Sequence, residues 1–113
     1  MVYYEGKKYI CLLDFAMNLI RGKWKAVLLC HLYRGPKRFL ELQRMTEGIS
    51  QKVLNEKLKE LENDKLIGKE IYAEIPPKVE YFLTDKGRNL TSIIKEIEDW
   101  SLKYYPELEN SCE

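Results

Sequence analysis

The amino-acid sequence predicts a mainly α fold carrying one small β hairpin, an α+β class. Two observations predict it. Apolar residues recur at helical spacing in five stretches, with Gly and Pro residues as punctuation. The period then changes once, between residues 69 and 83, to runs rich in β-branched and aromatic side chains. The length of 113 residues fits one domain over 1–113, able to bury roughly two-thirds of its unfolded surface. With 45% apolar and 33% charged residues, the chain is not a disordered tail. Its longest apolar run, Ala26 to Cys30, is far below the ~20 residues that cross a bilayer. The start MVYYEGKKYI lacks the basic-then-apolar layout of a secretory signal. The expectation is a soluble, cytoplasmic protein with no membrane partner.

The elements follow in order. A polar lead-in comes first. Leu12, Leu13, Phe15, Ala16, Leu19 and Ile20 then recur at helical spacing, and Gly22 stops that helix. A second apolar helix runs from about Trp24 to Tyr33 and is ended by Arg34, Gly35 and Pro36. A short third helix fits Phe39 to Met45. Gly48 breaks the chain, and the Ser50 hydroxyl can cap a fourth helix over about Gln51 to Asn63. Its Leu54, Leu58 and Leu61 fall within an arc of about 60°. Gln51, Lys52, Asn55 and Lys59 occupy a separate arc of about 100°. An apolar seam behind and an amide-rich, basic stripe in front is the layout of an anchored reading helix.

Two strands are predicted over Lys69–Ile75 and Val79–Leu83. Pro76 and Pro77 lie between them, at the tip or an edge, because neither can donate an amide hydrogen bond. Thr84 or Asp85 caps a last helix, along which Leu90, Ile93, Ile94, Ile97 and Trp100 recur. Leu102, Tyr104 and Tyr105 extend the apolar surface. Four helices, a hairpin and a closing helix make the winged helix–turn–helix plan, whose best-attested use is DNA binding.

Charge is divided along the chain in the same sense. Between Arg34 and Lys59 seven basic residues face three acidic ones, a net charge of +4, whereas Lys95 to Glu113 carries −4. One end suits a polyanion and the other is held away from it. Enzymatic machinery is missing. Cys11, Cys30 and Cys112 form no Cys-x-x-Cys pair, and His31 is the only histidine. No metal, cofactor or catalytic residue is therefore expected. His31 reads as a packing or surface residue, Cys30 as core and Cys112 as an incidental thiol.

From Cys11 to Trp100 the chain resembles the HxlR-type bacterial transcriptional regulators, small relatives of the MarR winged-helix proteins. The resemblance rests on Cys11 ahead of an apolar helix, Gly22-Lys23-Trp24, and Gly35-Pro36-Lys37-Arg38-Phe39 leading to Glu41-Leu42. It continues through Gly48-Ile49-Ser50-Gln51-Lys52-Val53-Leu54 and Pro76-Pro77-Lys78-Val79-Glu80-Tyr81, with Leu83-Thr84 and Gly87 after it. Leu12 stands where the family often has Pro, and Arg21-Gly22 where it often has Gly-Gly. Both departures lie outside the helix–turn–helix.

The candidate DNA-contacting residues are Ser50, Gln51, Lys52 and Asn55 near bases, with Lys59 nearer the backbone. Lys37 and Arg38 precede the third helix, where they could meet phosphates, and Lys78 resembles a wing residue that reaches the backbone or minor groove. A solvated polar face, loop charge and an incidental turn lysine are the plain alternatives for these three groups.

The apolar surface of the first and last helices is too wide for a monomer. The resemblance implies that they pack into a homodimer through Leu12, Phe15, Leu90, Ile93, Ile94, Ile97, Trp100 and Tyr104. The dimerisation helices are expected over about 9–22 and 85–105, around a DNA-binding core of about 24–84. Two-fold symmetry would set the reading helices roughly 34 Å apart, facing an inverted-repeat operator in double-stranded DNA. Relatives that sense oxidants or aldehydes through a cysteine at the position of Cys11 make it the regulatory candidate, against a plain reading as a small buried hydrophobe. The sequence offers no separate ligand domain, so the site of any small-molecule effector is expected at the subunit junction. The rivals to a DNA-binding regulator are a winged-helix module that uses the same surfaces against a protein and a thiol switch enzyme centred on Cys11, against which the absence of a partner Cys at short spacing and of a second His argues.

Overall fold

A computed structural model describes residues 1–108. It opens on an element that the sequence reading treats as lead-in. Strands β1 (Val2–Tyr4) and β2 (Lys7–Tyr9) pair antiparallel. Glu5 and Gly6 both take positive φ between them, as a two-residue hairpin turn that matches strand twist requires. The rings of Tyr4 and Tyr9 each meet Phe15 edge-on at 5.2 Å, which seats the hairpin on helix α1 (Leu12–Leu19). The expected first helix therefore loses Tyr9 to β2.

Helix α2 (Lys25–Leu32) is the centre of the core. Its apolar residues are spread around the axis, as in a helix covered on most sides. Leu28, Leu29, Cys30, His31 and Leu32 are all buried, so Cys30 and His31 are packing residues here. Around α2 stand α3 (Phe39–Met45), α4 (Gln51–Asn63) and α5 (Asp85–Tyr104). They contribute Leu42, the α4 seam and Ile94 to the same apolar cluster.

Helix α4 ends in a reversal that places the next strand. Lys65 takes φ 59°, the Leu66 amide donates to the Leu61 carbonyl and the Lys65 amide to that of Glu62, the Schellman arrangement. Strand β3 (Ile67–Tyr72) follows at once, because Leu66 and Ile67 are buried against the core. It pairs antiparallel with β4 (Lys78–Leu83), from Ile67 opposite Leu83 to Tyr72 opposite Lys78. The ladder thus starts two residues before the expected Lys69 and stops at Tyr72 rather than Ile75. Ile75, Pro76 and Pro77 form the exposed tip. Thr84 caps α5 by accepting the Gly87 amide at 3.0 Å.

Cys112 lies outside the described residues. Among the described residues no helix is long and apolar enough to cross a membrane, and no cluster of His, Cys, Asp and Glu could hold a metal ion.

Candidate nucleic-acid interface

Helix α4 is built from its cap inward. The Ser50 hydroxyl accepts the Val53 amide at 3.1 Å, satisfying one of the free donors of the first turn. Ile49, before the cap, is buried, and Leu54, Leu58 and Leu61 are sealed into the core. The helix therefore cannot rotate about its axis without exposing this seam. Its orientation leaves Gln51, Lys52, Asn55 and Lys59 exposed together with Ser50 at the amino-terminal end. This stripe offers amide groups that can donate to and accept from adenine, and ammonium groups suited to guanine or phosphate.

A second anchor lies behind α4. The Lys25 ammonium, almost wholly buried, forms an ion pair with Glu60 at 3.0 Å. Lys57 reaches the other oxygen of the same carboxylate at 3.2 Å. The Lys25 hydrogen bond, with a lesser one from Lys57, holds the Glu60 carboxyl below its ordinary range against an opposing push from burial. Lysine and glutamate at positions 25 and 60 carry no local sequence signal of pairing, and only the packing of α2 on α4 reveals it.

The flanking basic residues divide. Arg38 is exposed at the start of α3. Its amide, however, donates to Glu41 Oε1 at 2.9 Å, so an intrahelical carboxylate already occupies part of the helix end at which a phosphate was expected. Lys37 is held by its backbone. Its amide donates to the Tyr81 carbonyl at 3.0 Å and its carbonyl accepts the Tyr81 amide at 2.8 Å. Its ammonium turns back to the Gly35 carbonyl at 3.4 Å. Lys37 thereby ties the loop before α3 to the wing.

Lys78 is likewise folded inward. Its ammonium lies 4.5 Å from the centre of the Tyr72 ring and 3.9 Å from Glu80. The exposed group at the wing tip is Ile75. Gln43 of α3 is a residue that the sequence reading does not single out. It accepts from Gln51 Nε2 at 3.5 Å, which brings α3 to the edge of the polar stripe. Two glutamines eight residues apart gave no signal of their own.

The residues expected at a subunit junction also separate into groups. Leu12 on α1, and Ile93, Ile97, Trp100 and Tyr104 on α5, are more than half exposed. Trp100 stacks in a tilted arrangement with Tyr104 at 5.5 Å. Phe15 is half-buried under Tyr4 and Tyr9, and Leu90 is half-buried against the core. Ile94 corrects the expectation. It is buried in the chain's own core, at the edge of the α5 face that packs there, whereas Ile93 and Ile97 are more than half exposed. Cys11 is exposed in the single chain, at the amino-terminal boundary of α1.

Comparison with known proteins agrees with this architecture. The HxlR-like helix-turn-helix family matches residues 19–109. An HTH-type transcriptional regulator of Methanothermobacter thermautotrophicus is 42% identical over 106 residues, covering 94% of this chain and 81% of the relative. The solved structure of the redox regulator HypR in its reduced form superposes with a TM-score of 0.81 at 39% identity, covering 88% of this chain and 98% of HypR. The reduced form of the regulator YodB from B. subtilis gives a TM-score of 0.74 at 35% identity, over 85% of this chain and 95% of YodB. A capped, leucine-anchored α4, a hairpin bonded to the loop before α3, and matches over most of the chain lead to one assignment: this chain belongs to the HxlR-like helix-turn-helix family of transcriptional regulators, which are not enzymes.

Proposed function

We propose that this transcriptional regulator acts as a homodimer that binds an inverted-repeat site in duplex DNA through the amino-terminal half of α4. The observation that carries the reading is the fixed presentation of Gln51, Lys52 and Asn55 in front of a fully buried leucine seam. Lys59 and Arg38 are exposed and suit phosphate contacts at the margins of the site. Lys37 and Lys78 contribute to the wing's position, since both ammonium groups turn inward. The exposed apolar faces of α1 and α5 support self-association, which orients two α4 helices towards one face of the duplex. Residues 1–113 serve as one domain, with α1 and α5 flanking a DNA-binding core.

The regulatory input we propose is oxidation or alkylation of Cys11. Its exposure at the end of the dimerising helix α1 supports this, as does similarity to HypR, described as a redox regulator in reduced and oxidised forms. Fluorescence anisotropy with fragments selected from genomic DNA tests the proposal. Tight, salt-sensitive binding to particular fragments at a stoichiometry of two chains per duplex is expected. Equal indifference to all duplexes at low salt would reject it and favour a protein-binding module.

A further inference from the structure

A second concave site lies behind the reading helix. Four cationic residues from four places in the chain converge on a cavity of about 510 Å³: Lys7 on β2, Arg21 after α1, Lys25 on α2 and Lys57 on α4. Only Glu60 and Asp64 oppose them there, leaving an excess of two positive charges. Glu60 is shared between Lys25 and Lys57, one oxygen to each. The side chains of Lys7 and Arg21 form no ion pair among the described residues.

Gathering like charges around one concavity works against folding through mutual repulsion, and the same geometry concentrates the field that attracts an anion. The site is also larger than a single inorganic anion needs. Its remaining wall includes the carboxamides of Asn18 and Asn63, which suit hydroxyl or carbonyl groups rather than an apolar body.

We propose that this cavity binds a small polar dianion, a phosphate monoester or a dicarboxylate, held between Arg21 and Lys57. Arg21 supplies a planar fork of donors that matches either group. Lys57 supplies a point charge from α4 itself. An occupant therefore bridges the end of α1 to the rear of α4. A consequence for DNA affinity rests on the DNA-binding function proposed above, but occupancy of the cavity does not.

The test is calorimetric titration of the full chain, free of DNA, with inorganic phosphate, glycerol 3-phosphate and succinate at constant ionic strength set with sodium chloride. At least one of the three binds, and Arg21→Gln and Lys57→Gln each weaken it about tenfold, the effect of one charge-assisted hydrogen bond. Lys69→Gln, the same charge change at an exposed position of β3 outside the cavity, leaves the affinity unchanged. Preference between the phosphates and succinate identifies the source of the dianion. The proposal is overturned if none of the three binds beyond the chloride control, if Arg21→Gln binds like wild type, or if Lys69→Gln loses as much. Because no DNA is present, these results stand or fall separately from the reading function of α4.

Discussion

Gly87, in the first turn of α5, lies directly against the main-chain carbonyl of Leu66 at the entrance to β3, so that a side-chain carbon on Gly87 would occupy the carbonyl's own space. The Leu66 carbonyl is fixed there by the Thr84 amide, which donates to it at 3.1 Å. The contact joins the helix with the exposed apolar face to the strand that begins the wing.

Gly87→Ala is therefore expected to destabilise the fold by about 3 kcal/mol, since backbone must move to admit the methyl group. Urea denaturation at fixed protein concentration measures this. Gly68→Ala is the control. Its added carbon would meet the tip of the Phe82 ring at 2.7 Å, and a side chain can swing aside where a backbone cannot. A smaller loss is expected at Gly68, and equal losses at both positions would contradict the argument.

The Lys25–Glu60 pair gives stability a pH dependence of known sign. The folded-state pKa of Glu60 is depressed, chiefly by the Lys25 hydrogen bond. The stabilisation is thus present above the ordinary carboxylate pKa and lost as pH falls through the lower folded value. Glu60→Gln leaves the Lys25 ammonium buried without its counter-ion, and should cost about 1–2 kcal/mol at neutral pH. That is less than a fully buried pair would lose, because the Glu60 side chain is 43% exposed. Thermal melts of both proteins between pH 7 and pH 3 should converge at the acidic end.

At the carboxyl end of α4, Lys65 adopts a left-handed conformation with φ 59°, which a residue with a Cβ enters at a cost of about 1 kcal/mol. Lys65→Gly should raise stability by roughly 0.5–1 kcal/mol. Its carbonyl still accepts the Thr84 hydroxyl at 2.7 Å in the same place. A decrease on chemical denaturation would mean that Lys65 makes stabilising contacts beyond its backbone.

On the reading face the two side-chain types should separate by experiment. Gln51→Ala or Asn55→Ala is expected to remove about 1–3 kcal/mol of discrimination between specific and random duplex. Lys59→Ala should weaken both duplexes alike and reduce the salt slope by about 0.9 per lost phosphate contact. Lys78→Ala should leave the salt slope nearly unchanged, because its ammonium is engaged by Tyr72 and Glu80.

The exposed apolar face offers a further check. Ile97→Asp places a carboxylate among side chains more than half exposed in one subunit. It should leave the monomer fold intact and shift sedimentation towards one chain. Ile94→Asp should instead unfold the subunit, since Ile94 is buried within it. Identical behaviour of the two variants would mean that the difference in exposure between Ile94 and Ile97 does not separate core from surface on α5.

Helical periodicity determined α3 and α4, and the Ser50 hydroxyl after the break at Gly48 determined the cap, because these features depend on residues a few positions apart in the chain. The leucine seam likewise implied which side of α4 would face outwards. The amino-terminal hairpin was legible in principle, from Glu5-Gly6 between two short Tyr-containing runs, but three-residue strands become stable only by packing Tyr4 and Tyr9 on Phe15. Tertiary structure alone decided the rest. Whether Lys37 and Lys78 face outwards depends on partners brought from other elements or from across the wing. Whether Ile94 belongs to the core or the surface depends on where α2 lies, and the pairing of Lys25 with Glu60 requires two helices to meet. Charge and hydropathy are properties of a residue, but exposure and pairing are properties of the distances that folding creates.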